Sequence, residues 1–295
     1  MPPPAMGEGE WIAALRGLAS HPAARGLADD AAVLEIDGET LVLTHDMLVE
    51  GVHVPVGADP ADVAWKLVAT NLSDLAAKGA RPLGVLVGHM LGEGDDRFAG
   101  GLAEVLSRYE VPLLGGDTVS GGPPRSWGLT AIGRATHRPV PSRAGARAGD
   151  AVWVTGPLGA AMMGFEALRD GSGEDSTAYR RPTPRLAEGE ALAPLATAMM
   201  DISDGLLLDA ARMAEASGVT LALDSSAVPI AAPEGRRGDV LRWGDDYELL
   251  VALPGGVEPP VEAWPIGEVV GLRSAALLLD GSAPGRPLGY EHRQP

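Results

Sequence analysis

Short segments that set an aspartate beside glycine, serine or threonine recur from one end of this chain to the other. They read Ala28-Asp29-Asp30, Thr44-His45-Asp46, Asn71-Leu72-Ser73-Asp74, Gly115-Gly116-Asp117-Thr118, Asp201-Ile202-Ser203-Asp204-Gly205 and Gly244-Asp245-Asp246-Tyr247-Glu248. A fold that gathers them must hold several carboxylates close together, and at about 5 Å with an effective dielectric near 20 each pair repels by roughly 3 kcal/mol. Such a cluster calls for cations. Hard oxygen ligands, with no thiolate in the chain and few histidines, suit magnesium better than zinc, so the segments imply a magnesium-phosphate site. Singly, an Asp-Gly pair is usually a turn and a Ser-Asp before a helix usually a cap. Jointly they say more, because Asp46, Asp117 and Asp201 each fall at the end of an expected strand, where sheets with helical connections place their ligands.

Charge and residue usage narrow the chemistry. With 295 residues and 45% apolar content the chain can build two domains with real cores. A formal charge of -17 opposes binding to DNA or RNA, which needs clustered Lys and Arg. A small polyanion such as ATP fits only where metal ions and a few local arginines reverse the field. Cysteine is absent, which removes disulfides, thiolate metal sites and cysteine nucleophiles together and makes the cytoplasm the expected compartment. The start, Met1 to Trp11, is Pro-rich and acidic without a basic n-region or an apolar h-region, and no stretch reaches the length of a membrane span. Lys66 and Lys78 are the only lysines, and neither lies in a G-x-x-x-x-G-K-S/T run, so a P-loop is excluded. The H-R-D-L-x-x-x-N and D-F-G motifs of protein kinases are missing too.

Trp11, Ile12, Leu15 and Leu18 predict a short amphipathic helix over 9–19. Strands are expected at 32–36 and 41–44. Asp59-Pro60 reads as an N-cap followed by proline at the first helical position, and Val63, Leu67, Val68, Leu72 and Leu75 supply the buried stripe of a helix stopped by Gly79. Asn71 and Asp74 stand near its C-terminal end, where the macrodipole disfavours a carboxylate, so a cation explains Asp74 better than helix stability does. A strand at 82–90, a helix at 98–109, a strand at 111–114 running into Gly115-Gly116-Asp117 and a strand at 129–134 follow. Between Thr136 and Asp150 Arg, Pro, Gly and Ala crowd together, which marks a linker. The expected architecture is α+β or α/β in two domains, an N-terminal sheet domain over 1–137 and a C-terminal mixed-sheet domain over 138–295. The second opens with a strand at 151–155 and a helix at 160–168, joined by Gly156-Pro157-Leu158-Gly159; this turn either packs tightly, the ordinary case, or holds phosphate on its N–H groups. Helices at 186–198 and from Gly205 to Ser217, and strands at 220–223, 248–253 and 268–270, complete it.

Several residues admit two readings. His53 is either a substrate contact or a surface loop residue. His45, directly before Asp46, is better suited to a structural role or a backbone contact than to nitrogen ligation. Arg143 pairs with a phosphate or is merely solvated in the linker. The run from Arg180 to Arg185 is a second phosphate patch or a proline-stiffened loop.

The order and spacing of these segments resemble the thiamine-monophosphate kinases. The matching stretches are 27–31, 44–53, 71–80, 115–118, 142–145, 201–206 and 246–249, with Gly289-Tyr290-Glu291-His292 at the end. The resemblance implies the two-domain fold of the aminoimidazole ribonucleotide synthetase-like superfamily. It also implies transfer of the γ-phosphoryl group of ATP to thiamine monophosphate, by direct in-line displacement assisted by several Mg2+ ions and without an enzyme nucleophile, in thiamine diphosphate biosynthesis. By position it makes Asp30, Asp46, Asp74, Asp117, Asp201 and Asp204 metal ligands, with Thr44 and His45 helping through oxygen. Gly116, Asp117, Arg143 and Ser203 would contact ATP, and His53, Asp245 and Tyr290 would face the thiamine phosphate. A homodimer joined through the N-terminal domains is implied as well.

The chain differs from the family pattern where Gly26-Leu27-Ala28 replaces Gly-Ile-Gly, where Thr44-His45-Asp46 replaces Ser-Thr-Asp, and where Asp245 stands for a glutamate. Three competing readings are a purine-type ring-closing ligase of the same superfamily, a non-catalytic binding homologue, and a metal-dependent phosphohydrolase. A selenide-phosphorylating enzyme is disfavoured because it needs a cysteine or selenocysteine that this chain lacks.

Overall fold

Along residues 39–49 Thr40, Val42, Thr44 and Leu48 are buried, while Glu39, His45 and Met47 are exposed. This two-residue period belongs to a strand with one covered face, and it organises the first half of the molecule. In the computed structural model, which describes residues 7–292, the helix α1 (Glu8–Arg16) and a 3-10 turn over Pro22–Leu27 lead into β1 (Ala32–Ile36) and β2 (Glu39–Val49). Then come α2 (Pro60–Ala77), β3 (Ala80–Met90), α3 (Asp95–Arg108), β4 (Leu113–Val119) and β5 (Ser126–Ala135). The first six residues of the Pro-rich start lie outside the described residues. The strands form one mixed sheet ordered β1-β2-β5-β3-β4, with only the β3-β4 pair parallel.

Helix α2 covers the inner face of this sheet. Asp59 caps it by accepting a hydrogen bond from Ala61 N at 3.0 Å, and Pro60 opens it. Leu67, Val68, Leu72 and Leu75 pack with Val42, Val85, Leu129 and Ala131. Burial nevertheless runs right round the helix, taking in Lys66, Thr70, Asn71, Ser73 and Asp74. A helix buried on every side lies in the middle of a molecule, and its polar groups must then be satisfied inside.

The second half contributes β6 (Ala151–Val154), α4 (Ala160–Asp170), α5 (Thr177–Arg180), α6 (Leu186–Leu192), β7 (Ala198–Asp201), α7 (Leu206–Ser217) and β8 (Thr220–Leu223). It closes with α8 (Arg237–Val240), β9 (Leu249–Leu253), β10 (Trp264–Val270) and β11 (Leu277–Leu279). Its sheet runs β11-β8-β10-β6-β9-β7, antiparallel except for β11-β8. Leu206, Leu207, Ala210, Met213 and Ala214 of α7 share a core with Val152, Val154, Leu250 and Ile266. The two sheets meet at the end of α2, where Ala76 and Ala77 join Trp153, Leu192, Met199, Leu249 and Val251 in a separate core. No helix among the described residues is long and apolar enough to cross a membrane.

Three expected boundaries move. Strand β2 pairs with β5 as far as Val49↔Ser126, and β4 pairs with β3 as far as Met90↔Val119. Asp46 and Asp117 therefore lie inside strands, and of the three aspartates only Asp201 ends one. Gly116 does not stop β4 but lets it approach β3, since a Cβ there would lie 1.9 Å from the Val87 carbonyl oxygen. The helix expected over 186–198 ends at Leu192 because Pro194 cannot continue it, and β7 begins at Ala198.

The seam between the halves depends on one glycine. A Cβ on Gly189 of α6 would stand 2.0 Å from the Ala76 carbonyl oxygen of α2. Gly189→Ala must push the two helices apart and is expected to cost about 1–3 kcal/mol, read as a lower urea midpoint. An unchanged midpoint would mean that the helices are not in register as described.

Candidate active site

Three segments far apart in the chain converge on the C-terminal third of α2. The turn over Pro22–Leu27 delivers Asp30, α2 itself carries Asp74, and β7 ends in Asp201; their carboxylates bring oxygens within 4.8 Å of one another. Each is held from outside the trio. The Thr44 hydroxyl of β2 donates to Asp74 Oδ2, and Ser73 Oγ donates to Asp201 Oδ2 at 2.7 Å. Asn71 Oδ1 accepts from the Asp46 N–H at 3.0 Å, which fixes β2 against the helix beside the cluster.

Burial decides the electrostatics. It pushes the Asp74 carboxyl well above the ordinary carboxylate range, helped by Asp46 and Asp201, and lifts Asp201 to about 8, helped by Asp30. Asp46 is raised to about 6 for the same first reason. Lys78 Nζ lies 2.6 Å from Asp30 Oδ2 as an ion pair, but outside hydrogen-bond geometry, so that buried oxygen makes no hydrogen bond. Three carboxylates with oxygens within 4.8 Å of one another, two of which resist ionisation, are the surrounding a hard divalent cation satisfies. The donors are all oxygen, so the residues fit Mg2+.

The cluster opens into a cavity of about 1270 Å³, above the roughly 300–1000 Å³ of a single small-molecule pocket. Arg16, Arg143, Arg212 and Arg242 line it, but aspartates and a glutamate outnumber them there, so a polyanion needs metal cations besides these arginines to reverse the local field. Arg143 reaches Asp30 Oδ1 with Nε at 2.6 Å and Nη2 at 2.5 Å. Arg212 pairs with Asp204 and Asp209.

The far wall is laced together from the C-terminal half. Asp245 N donates to Ser203 O at 2.8 Å, and a Cβ on Gly244 would meet that oxygen at 2.2 Å, so the two loops lie against each other. The Asp245 carboxylate accepts from Lys66 Nζ and from the Tyr247 hydroxyl, both at 2.8 Å. Tyr290 N donates to Asp204 O at 2.9 Å and brings the last segment over the cavity. His53 Nδ1 accepts from Val49 N at 2.9 Å, and burial together with His292, 5.2 Å away between ring centroids, lowers its pKa.

Of the residues singled out in the sequence, Asp30, Asp46, His53, Asp74, Arg143, Asp201, Ser203, Asp204, Asp245 and Tyr290 all line this one cavity. Thr44 is buried behind it, with its hydroxyl committed to Asp74. Two of these positions keep their side chains out of the cavity: His45, in line with its expected structural or backbone role, and Asp117, which with Gly116 differs from expectation. The His45 ring is exposed on the opposite sheet face and bonds Thr130 Oγ1 at 2.9 Å, so only its main chain is left to face the cluster. Gly116 and Asp117 are exposed on the edge strand β4 and do not line the cavity; Asp117 shares a rung with Gly88, Gly128 and Met47, away from α2. For His45 the reason is the two-residue period, which sends alternate side chains to opposite faces; β4 is the edge strand and is exposed along its whole length.

The open readings also resolve. Arg180 and Arg181 pair with Asp62, and Arg185 with Glu248, so this run is a set of ion pairs in a loop rather than a phosphate patch. The Gly156–Gly159 turn packs tightly: a Cβ on Gly156 would lie 2.4 Å from Glu248 Oε1, and Gly159 N donates to Asp246 Oδ1 at 2.7 Å. Ala28 sits at φ -122°, a conformation alanine adopts freely, while the left-handed positions fall on Arg25, Gly26 and Leu27. Sequence reasoning missed Lys66, Ser73, Lys78 and Arg212. A signal existed for the lysines, since the only two in the chain both fall in or next to α2.

Comparison with known proteins bears on this arrangement. Residues 28–135 match the family of AIR synthase related proteins, N-terminal domain, and residues 147–279 match the corresponding C-terminal domain. The thiamine-monophosphate kinase of Salmonella typhimurium is 38% identical over 249 residues, covering 78% of this chain and 76% of that protein. The thiamine-monophosphate kinase of Halobacterium salinarum is 38% identical over 269 residues, covering 86% and 91%. A solved structure of AaThiL complexed with AMPPCP and TMP superposes with a TM-score of 0.87 at 28% identity, covering 97% of each chain.

The raised carboxyls set a pH dependence. Asp201 and Asp209 ionise near 8 and 7 in the folded chain but near 3.8 when exposed. Over that window the folded state holds protons the unfolded chain has released, so the metal-free protein loses stability as the pH rises from about 4 to 8. A bound cation favours the ionised carboxylates, so added Mg2+ is expected to raise Tm more at about pH 8 than at about pH 5. Equal Mg2+ increments at both values would contradict the placement of a cation among these groups.

Proposed function

The chain belongs to the thiamine-monophosphate kinase family, and from that premise we propose how its cavity phosphorylates thiamine monophosphate with ATP. The observation that carries the reading is the joining of an acidic oxygen cluster, fixed arginines and room for two ligands in one cavity. The bond between Pγ and the β,γ-bridging oxygen of ATP breaks as an oxygen of the acceptor's phosphate bonds Pγ, and ADP leaves with the electron pair of the bridge. That acceptor oxygen is already ionised at neutral pH, so the chain needs neither a covalent nucleophile nor a strong general base. Its task is to bring two polyanions together and align them.

Asp30, Asp74 and Asp201 would hold Mg2+, with Asp46 and Asp204 at the rim of the same cluster. Bound there, Mg2+ supplies the charge that offsets the phosphates and orients their oxygens. Arg143 provides a fixed cation for ATP, anchored on Asp30 so that it does not reorganise during transfer. Ser203 presents its hydroxyl from the loop that follows β7. His53, Asp245 and Tyr290 face the acceptor from the opposite wall, where Lys66 and Tyr247 hold the Asp245 carboxylate in place.

Met47, Leu86, Leu113, Leu114 and Val119 are exposed on the N-terminal sheet and its β4 edge, and we assign this surface to a homodimer contact. Light scattering that returns the mass of one chain would remove this contact. The cytoplasm, which supplies ATP and Mg2+, is the compartment assigned.

With ATP, Mg2+ and thiamine monophosphate, chromatography is expected to resolve thiamine diphosphate and ADP in equal amounts, with no transfer to thiamine or AMP. Asp74→Asn should lower kcat on the order of 100-fold or more, the scale of losing one electrostatic contact in a transition state, with the fold retained by circular dichroism. ATP breakdown to ADP and phosphate independent of acceptor would instead point to a phosphohydrolase.

A further inference from the structure

Lys78 is a fully enclosed charge near the cavity that the proposed reaction leaves unused. Lys and Arg together number 23 in the chain, yet Lys66 and Lys78 are the only lysines. The Lys78 side chain is fully buried, immediately after the last residue of α2. Its Nζ stands 2.5 Å from Asp29 Oδ1, 2.6 Å from Asp30 Oδ2 and 3.2 Å from the Met199 carbonyl oxygen. Two carboxylates and a carbonyl, drawn from the segment before β1 and from β7, surround this point with oxygen alone. That is the donor set of a small hard cation.

An ammonium suits the position for two further reasons. It is a compact charge with three donors, whereas a guanidinium is a broad planar fork. The C-terminal end of a helix also favours a cation. Asp29 is engaged on its other oxygen by Arg25 at 2.5 Å, and Asp30 on its other oxygen by Arg143. The Lys78 ammonium therefore bridges the two carboxylates through the oxygens the two guanidinium groups leave open, Asp29 Oδ1 accepting as well from the Asp30 and Arg143 backbone N–H groups, and Asp30 belongs at once to Lys78 and to the trio with Asp74 and Asp201.

We propose that Lys78 is a tethered cation of the phosphate site: its ammonium occupies the position of an ion between Asp29, Asp30 and the Met199 carbonyl, so that the site draws one mobile cation fewer than its carboxylates would otherwise require. The inference rests on the metal reading given above. Lys78 acts as a positioning residue, since it holds the Asp30 carboxylate in place before any metal arrives and touches no substrate.

Mn2+ binding to the full-length chain, followed by the electron paramagnetic resonance of free Mn2+ without nucleotide or acceptor, tests this. Lys78→Met is expected to bind one more Mn2+ per chain than the unaltered protein. Its metal-free Tm should be lower, and saturating Mn2+ should recover more of it than in the unaltered protein. If Lys78→Met folds only when Mn2+ is present, the tethered cation is supported on that ground. If it fails to fold in either condition, the double variant Asp29→Asn, Lys78→Met decides: with Asp30 freed of its competitor, Mn2+ affinity should rise tenfold or more, and unchanged affinity would overturn the proposal. Equal ion number, affinity and Tm recovery in Lys78→Met and the unaltered protein would overturn it as well, leaving Lys78 a structural ion pair. An unaltered protein that binds no Mn2+ would overturn the metal reading itself, which is a different result.

Discussion

Neighbouring residues of α2 reach different sheets: Ser73 donates to Asp201 at the end of β7, and Asp74 accepts from Thr44 in β2. Both hydrogen bonds are buried, so the halves of the molecule are tied through groups that water cannot satisfy. The rest of the arrangement follows from this. Because the helix is enclosed on all sides, its carboxylate is enclosed too, and the aspartates from the other segments meet it in the same low-polarity surroundings. Burial, more than mutual repulsion, raises Asp74 and Asp201. Carboxyls enclosed in this way resist ionisation, and a bound cation would relieve that cost.

The two walls of the cavity perform different work. On the wall that carries Asp30 and Asp204, positive groups are anchored on the same carboxylates they balance, as Arg143 is on Asp30 and Arg212 on Asp204. On the wall at Asp245 the charges are cross-linked: Lys66 is packed 3.8 Å over the Tyr179 ring and bound to Asp245. Lys66 and Lys78 thus mark the two sides of the site from the same helical stretch. In each case a compact ammonium fits where a guanidinium would not.

Much of this was legible in the amino-acid order. The cap at Asp59-Pro60 and the stripe from Val63 to Leu75 define α2 without ambiguity, and the family resemblance groups Asp30, Asp74 and Asp201 with Asp46, Asp117 and Asp204. What sequence could not supply was direction. His45 and Asp46 are adjacent, yet the strand's period sends one ring to solvent and the other side chain to the cavity. Asp117 resembles its fellows in its Gly-Gly-Asp context but lies on the exposed edge strand, because β4 continues through the glycines instead of ending there. Ser73, Lys78 and Arg212 were hidden for another reason: their roles exist only once β7, the segment before β1 and the loop at Asp204 have been brought together by long-range packing.

The central claim is that Asp30, Asp74 and Asp201 together hold a divalent cation. Anomalous diffraction from crystals soaked in Mn2+ tests it most directly. The account predicts a strong anomalous peak bounded by oxygens of all three carboxylates, next to but distinct from the Lys78 ammonium. A peak confined to other acidic groups, with this trio unchanged and empty at saturating Mn2+, would contradict it.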